Sequence, residues 1–218
     1  MRIAFKGAVF DADGTLIDSM HMWRSLGLEY LKKFGIHEDD SLNERLFALS
    51  FEEGCEYLSR HYDLNQTSEK IRSGILNMIR DFYVHDVMLK EGVREFLDVL
   101  KSKHIPMVIA TSGDRDLLSS ALKRLNVYEY FDAIFTCSEL ETNKHDPKIF
   151  MACSEFMKLE PESIAVFEDS LHAIRTAKNA GFFVYAVEDD SSRHERTEIK
   201  AECDYYIEDF MKEEIRTQ

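Results

Sequence analysis

From about residue 88 onward, short apolar runs alternate with amphipathic stretches of roughly 10–15 residues, the pattern of βαβ units. GVREFLDVLKSK has helical spacing and PMVIAT is a short apolar strand. DRDLLSSALKRLN is a helix and FDAIFT a strand. DPKIFMACSEFMK is a helix with Pro147 near its first position, and ESIAVFE a strand. SLHAIRTAKNAG is a helix with Gly181 just past its end, and FFVYAV a strand. Such alternation predicts an α/β fold with a parallel sheet and right-handed crossovers. Residues 3–10 (IAFKGAVF) add a further strand ending at Asp11. Between about Ile17 and Val87 the alternation stops and the periodicity is helical throughout, as in MHMWRSLGLEYLKKFG, FEEGCEYLSRHY and SEKIRSGILNMIRDFY. This block reads as an inserted helical domain over 18–87, within a core made of 1–17 and 88–218. The two ends of the insert are expected to lie close together in space.

A chain of 218 residues with 44% apolar and 31% charged residues has ample material for such a core. Three prolines and nine glycines leave room only for short linkers. The net charge of −14 disfavours nucleic acid and anionic membrane surfaces as partners. It also means that an anionic substrate needs local neutralisation by a lysine, a helix N-terminus or a metal ion. The four cysteines (Cys55, Cys137, Cys153, Cys203) are scattered, without metal-ligand spacing, and read as reduced thiols. The first apolar stretch is ended by Asp11, unlike a signal peptide, and no run approaches the ~20 apolar residues of a membrane span. A cytoplasmic location is expected.

In open parallel sheets, ligands bind beyond the carboxyl ends of the strands. The first predicted strand is followed by Asp11-Ala12-Asp13-Gly14-Thr15, the second by Thr111 and Ser112, and SIAVF by Glu168-Asp169-Ser170. Lys144 follows FDAIFT at a greater distance. Each has an ordinary reading alone: a polar turn, a strand-end hydroxyl, a helix cap, a surface lysine. Together they place carboxylates, hydroxyls and an ammonium at one edge of the sheet. The D-x-D start does not continue as a calcium loop, since Leu16 stands where that loop needs glycine and Met22 where it needs glutamate. No glycine-rich nucleotide loop occurs.

These segments resemble the four ordered motifs of the haloacid dehalogenase-like (HAD) hydrolases. VFDADGTLIDS is similar to the D-x-D-G-T motif, VIATS to the strand ending in Ser/Thr, NKHDPKIF to the lysine-bearing segment, and VFEDSLHAIRTAKNAG to the acidic motif. The resemblance spans the chain. It implies a Rossmann-like parallel-sheet core with an inserted all-helical cap, as in the β-phosphoglucomutase and phosphoglycolate-phosphatase branch. It further implies a Mg²⁺-dependent phosphatase of a small phosphorylated metabolite. Asp11 would be the nucleophile that forms an aspartyl-phosphate. Asp13 would be the general acid and base, its backbone carbonyl also a metal ligand. Thr111, with the backbone N–H of Ser112 at a helix start, would hold the phosphoryl group. Lys144 would neutralise Asp11 and phosphate oxygens. Asp169 would anchor the metal, with Glu168 a ligand directly or through water; this oxygen-only set suits Mg²⁺.

The chain departs from the family pattern in places. Asn143-Lys144-His145-Asp146 replaces Gly-Lys-Pro-x, leaving Lys148 as a rival for the lysine role, and Ala173 replaces a glycine. Where the mutase branch carries a cap histidine, this chain has Trp23, with His21 nearby. A phosphoglucomutase-like isomerase using the same core is the alternative reading. Ser19, His21, Trp23, Arg45 and Lys70 are the insert residues that could face the site, and a monomer is expected.

Overall fold

The computed structural model describes residues 5–39, 41–47 and 49–212. Its chain separates into two compact units, Met1–Ser19 with Val87–Gln218, and Met20–Asp86.

The first unit is built on a six-stranded sheet. Its strands are β1 (Gly7–Phe10), β2 (Met107–Thr111), β3 (Ala133–Thr136), β4 (Ile164–Glu168), β5 (Phe183–Val187) and β6 (Tyr205–Ile207). They run in the order β3-β2-β1-β4-β5-β6, every neighbouring pair parallel. The order in which strands are added reverses, outward from β1 to β3 on one side and then from β4 to β6 on the other, which places β1 and β4 side by side at the centre. β1, β2 and β4 are buried along their whole length, which is why they read as unbroken apolar runs rather than as alternating ones. Ile3 and Ala4, at the start of the expected first strand, lie outside the described residues. Neither β6 nor the short helix before it was expected from the sequence.

Helices cover both sheet faces. On one face, Val9, Val108, Ala110, Val166, Val184 and Ala186 pack with Ile149, Phe150 and Cys153 and with Ile174 and Ala177. The first three helical residues belong to α7 (Lys148–Met157) and the last two to α8 (Leu171–Asn179). On the other face an aromatic ladder follows the strand register. Phe10 is paired with Phe167, and Phe167 with Tyr185. Their rings stack at centroid distances of 4.5 and 4.9 Å. Phe96, on α5 (Val93–Ser102), meets Phe10 and Phe167 edge-on. The sheet edge that follows this ladder is thereby held rigidly on two neighbouring strands.

The second unit is helical: α1 (Met20–Lys32), α2 (Ser41–Phe47), α3 (Phe51–His61), α4 (Ser68–Asp81) and a π-helical turn at Phe82–Asp86. Ser50 and Glu53 form a reciprocal capping box at the start of α3, and Thr67 caps α4. Its apolar interior includes Leu28, Leu31, Leu58, Ile71, Ile75 and Ile79. Two further helices of the first unit are α6 (Arg115–Arg124) and α9 (Arg196–Glu202). Among the described residues, no helix is long and apolar enough to cross a membrane.

Candidate active site

Parallel pairing of β1 with β4 brings the residues after Phe10 and Phe167 together. The Asp11 N–H donates to the Phe167 carbonyl at 2.9 Å, so Asp11 continues the ladder beside Glu168. One carboxylate oxygen from each of Asp11, Glu168 and Asp169 lies within 4.8 Å of the others, and all three residues are buried. Lys144 reaches this cluster from the loop after β3. Its ammonium donates to Asp11 Oδ1 and, at 2.7 Å, to Glu168 Oε2. The rival Lys148 turns away and donates to the Leu140 carbonyl at 2.6 Å.

The three carboxylates are not equivalent. The Glu168 carboxylate is bound at both ends, since Oε1 also accepts from the Ser170 hydroxyl at 2.7 Å and its amide at 3.2 Å. Burial would raise its pKa, but Lys144 and these bonds hold it below the ordinary glutamate value. Burial pushes Asp11 up to about 8, with the Glu168 charge adding to the effect and Lys144 opposing it. Burial, followed by the charges of Glu168 and Asp11, raises Asp169 well above its ordinary value. Asp169 Oδ1 accepts from the Thr15 hydroxyl at 3.4 Å. Burial alone would lower the Lys144 pKa, but Asp11 and Glu168 hold it above the usual lysine range. Ionising all three carboxyl groups around one ammonium would leave an excess of negative charge in a buried place, which is why Asp11 and Asp169 hold their protons more tightly than usual. An oxygen-rich donor set with that excess fits a divalent cation.

Asp13 stands on the turn after β1. Gly14 takes a left-handed φ of 85°, and the Leu16 and Ile17 amides both donate to the Ala12 carbonyl at 2.9 Å. The turn is therefore closed on itself with Asp13 at its bend. Asp13 Oδ1 accepts from the buried Ser19 hydroxyl at 2.6 Å. Thr111 ends β2, and its hydroxyl accepts from the Gly113 N–H at 2.9 Å. A β-carbon built on Gly113 would lie 3.2 Å from both Asp13 Oδ2 and Thr111 Oγ1, so a side chain there would crowd both. Ser112 differs from expectation. Helix α6 begins at Arg115 with Asp114 as its cap, so Ser112 precedes the helix start by more than a full cap position. Its hydroxyl lies 3.5 Å from Cys137 Sγ.

Among the residues considered for the insert, Ser19 belongs to the first unit. Reading it as an insert residue missed its bond to Asp13, because a serine six residues after an aspartate carries no signal of its own. Trp23 donates its indole N–H to the Tyr83 hydroxyl at 3.1 Å, Arg45 donates to the Tyr57 hydroxyl at 2.5 Å, and the His21 ring meets Phe82. The Lys70 amide donates to the Thr67 hydroxyl at 3.4 Å. All of these contacts are internal to the second unit.

Comparison with known proteins follows the same lines. The chain is 27% identical over 176 residues to a phosphorylated carbohydrates phosphatase of Thermotoga maritima, covering 81% of this chain and 82% of that one. It is 26% identical over 187 residues to a fructose-1-phosphate phosphatase of Escherichia coli, covering 81% and 93%. It is 25% identical over 191 residues to a beta-phosphoglucomutase of Bacillus subtilis, covering 84% and 83%. Among solved structures, CbbY of Rhodobacter sphaeroides in complex with phosphate superposes with a TM-score of 0.74 at 21% identity, over 95% of this chain and 96% of that one. A HAD hydrolase of Entamoeba histolytica superposes with a TM-score of 0.76 at 24% identity, over 96% of each chain. The family profile described as haloacid dehalogenase-like hydrolase matches residues 8–187. The chain belongs to the haloacid dehalogenase-like hydrolases.

Proposed function

We propose that the protein is a Mg²⁺-dependent phosphatase acting on a small phosphorylated metabolite, such as a sugar phosphate, through a phosphoryl group held on Asp11. The observation that carries this reading is the buried meeting of Asp11, Glu168 and Asp169 with Lys144, with Asp13 on the turn after β1 and Thr111 at the end of β2. Phosphatases among the relatives support it.

In this reading an Asp11 carboxylate oxygen attacks phosphorus, and the bond from phosphorus to the ester oxygen breaks. Asp13 gives its proton to the departing alkoxide, then takes one from the water that attacks the phosphoryl-aspartate. Lys144 holds Asp11 in place and offsets charge on the phosphoryl oxygens. The Thr111 hydroxyl and the Ser112 amide bind those oxygens. Asp11, Asp169, the Asp13 carbonyl and Glu168 would hold the metal. When bound, Mg²⁺ supplies the charge screening that lets a carboxylate approach a phosphate dianion. Because Glu168 is already bonded to Lys144 and Ser170, Asp169 is the better anchor of the two.

The helical insert, expected over residues 18–87, would act as a cap that selects the substrate, and the protein would work as a cytoplasmic monomer. The histidine of the mutase branch is replaced by Trp23, whose indole can donate but not shuttle a proton. Phosphatase rather than mutase is therefore the reading put forward. The test is phosphate release from a panel of phosphorylated metabolites with and without Mg²⁺, with a sugar bisphosphate as the probe of mutase activity. Release from at least one ester only with Mg²⁺ supports the reading. Bisphosphate-dependent isomerisation without release overturns it.

A further inference from the structure

Lys90 is a buried-stem lysine that no motif of the sequence singled out. Its ammonium makes three hydrogen bonds, to the Gly14 carbonyl at 2.7 Å, the Glu188 carbonyl at 2.6 Å and Asp189 Oδ2 at 2.8 Å. These satisfy all three of its donors. The Lys90 side chain is 17% exposed and that of Asp189 is 7%.

Both ends of this contact are anchored. The Lys90 amide donates to the Leu16 carbonyl at 3.0 Å, and Leu89 forms an antiparallel bridge with Ile17. On the other side, the second oxygen of Asp189 accepts from the Ser191 amide at 2.9 Å. The Glu188 amide donates to the Ile207 carbonyl at 2.8 Å, and its carboxylate is held by Tyr206 and Arg196. Lys90 thus ties the turn after β1 to the loop after β5, on the far side of β4.

We propose that Lys90 is a positioning residue, which fixes the Gly14 peptide and through it the adjacent Asp13 for proton transfer; this rests on the phosphatase reading above. Gly14 takes a left-handed φ of 85°; its N–H donates to the Ile17 carbonyl at 3.0 Å, and its carbonyl is held from outside the turn by Lys90. The Ser19 hydroxyl restrains the Asp13 carboxylate, and Lys90 restrains the Gly14 carbonyl, one peptide beyond the bond that joins Asp13 to Gly14. With the ammonium gone, the Gly14 carbonyl loses this partner and the bend that carries Asp13 can shift. A misplacement of about 1 Å is enough to cost on the order of 100-fold in rate.

The test compares wild type, Lys90→Met and Asp189→Asn by two measurements. The first is single-turnover cleavage, with Mg²⁺, of an alkyl phosphate and of p-nitrophenyl phosphate, whose leaving group needs no proton. In Lys90→Met, alkyl phosphate cleavage should fall roughly 10–100-fold while the nitrophenol burst stays within about threefold, as expected when acid catalysis is impaired. The second is amide hydrogen exchange. Segments 12–17 and 188–192 should exchange faster in Lys90→Met, and to a lesser degree in Asp189→Asn, with β2 unchanged. Equal losses for the two esters, or none, would overturn the effect on Asp13. Unchanged exchange in both segments would overturn the clamp. Should Lys90→Met fail to fold, Asp189→Asn decides by the same criteria. If the wild type cleaves neither ester, the phosphatase reading fails on its own and hydrogen exchange still decides whether Lys90 holds the turn.

Discussion

Asp11 is held in a state that its own chemistry opposes. Without a metal its carboxyl is pushed up to about 8, from an ordinary value of 3.8, first by burial and then by the Glu168 charge. The folded protein therefore binds this proton more tightly than the unfolded chain does. The stability linked to that proton is present at low pH and is lost as the pH rises from about 4 through 8. Asp11→Asn removes the burden. In EDTA at pH 8, Asp11→Asn should melt a few degrees above wild type, with the gap narrowing toward pH 5, as scanning calorimetry would show. The same variant should have no turnover, because an amide does not attack phosphate. A wild type that melts above Asp11→Asn at pH 8 in EDTA would contradict the electrostatic description. Gly113→Ala tests a second close approach. The added methyl would stand 3.2 Å from Asp13 Oδ2 and Thr111 Oγ1, and kcat should fall by roughly tenfold. At this scale the sequence was most informative where a side chain ends a strand, as Thr111 and Glu168 do, or directly follows one, as Asp11 and Asp169 do. Ser19 was considered only as an insert residue and Lys90 not at all, because their partners are reached around a turn, and two of the three Lys90 acceptors are backbone carbonyls, which every residue possesses.

At the scale of elements, the ladder Phe10–Phe167–Tyr185 stands directly before Asp11 and Glu168. It gives those carboxylates a stiff base on neighbouring strands. Phe167 is fully buried and touches Phe5, Phe10, Phe96 and Tyr185. Phe167→Ala should cost about 3–5 kcal/mol through lost burial and the cavity left behind. For a chain of this size that lowers Tm by roughly 10 °C, measurable by thermal denaturation. A shift under about 3 °C would mean that the ladder is not a main support of the sheet. Strands β1, β2, β4 and β5 were legible because burial on both faces demands continuous apolar runs. β6 was not, since it has three residues and Tyr205 is exposed. Helix α2 has only seven residues and little room to show a period. α6 was legible, but its cap was not placed, because Ser112 and Asp114 are both good capping residues and only the backbone path chooses Asp114.

Across the whole molecule, the parallel sheet follows from the strand–helix alternation, while the order of its strands does not. Handedness and adjacency limit the possibilities without selecting which strand lies beside β1. That adjacency creates the carboxylate cluster, so the site was legible from the motifs before its geometry was. The cluster also predicts a whole-molecule response to metal. With a net charge of −14 and three buried carboxylates around one lysine, Mg²⁺ should raise Tm, and more so at pH 8 than at pH 6, because it competes with the protons on Asp11 and Asp169. Asp169→Ala should fold, lose most of this metal-induced shift and lose activity. A Tm indifferent to Mg²⁺ and EDTA at both pH values, in an enzyme that stays active after chelation, would contradict the metal assignment.

The central claim is that Asp11 takes the phosphoryl group and Asp13 moves the protons. It is tested most directly by mixing Asp13→Asn with p-nitrophenyl phosphate and Mg²⁺, quenching rapidly and measuring the intact mass. The leaving group needs no acid, so the first step should proceed, while the second lacks the base that activates water. The expected result is one burst of nitrophenol with a single phosphoryl adduct, removable by hydroxylamine and mapped to Asp11. Steady turnover equal to wild type, or an adduct on any other residue, would contradict it.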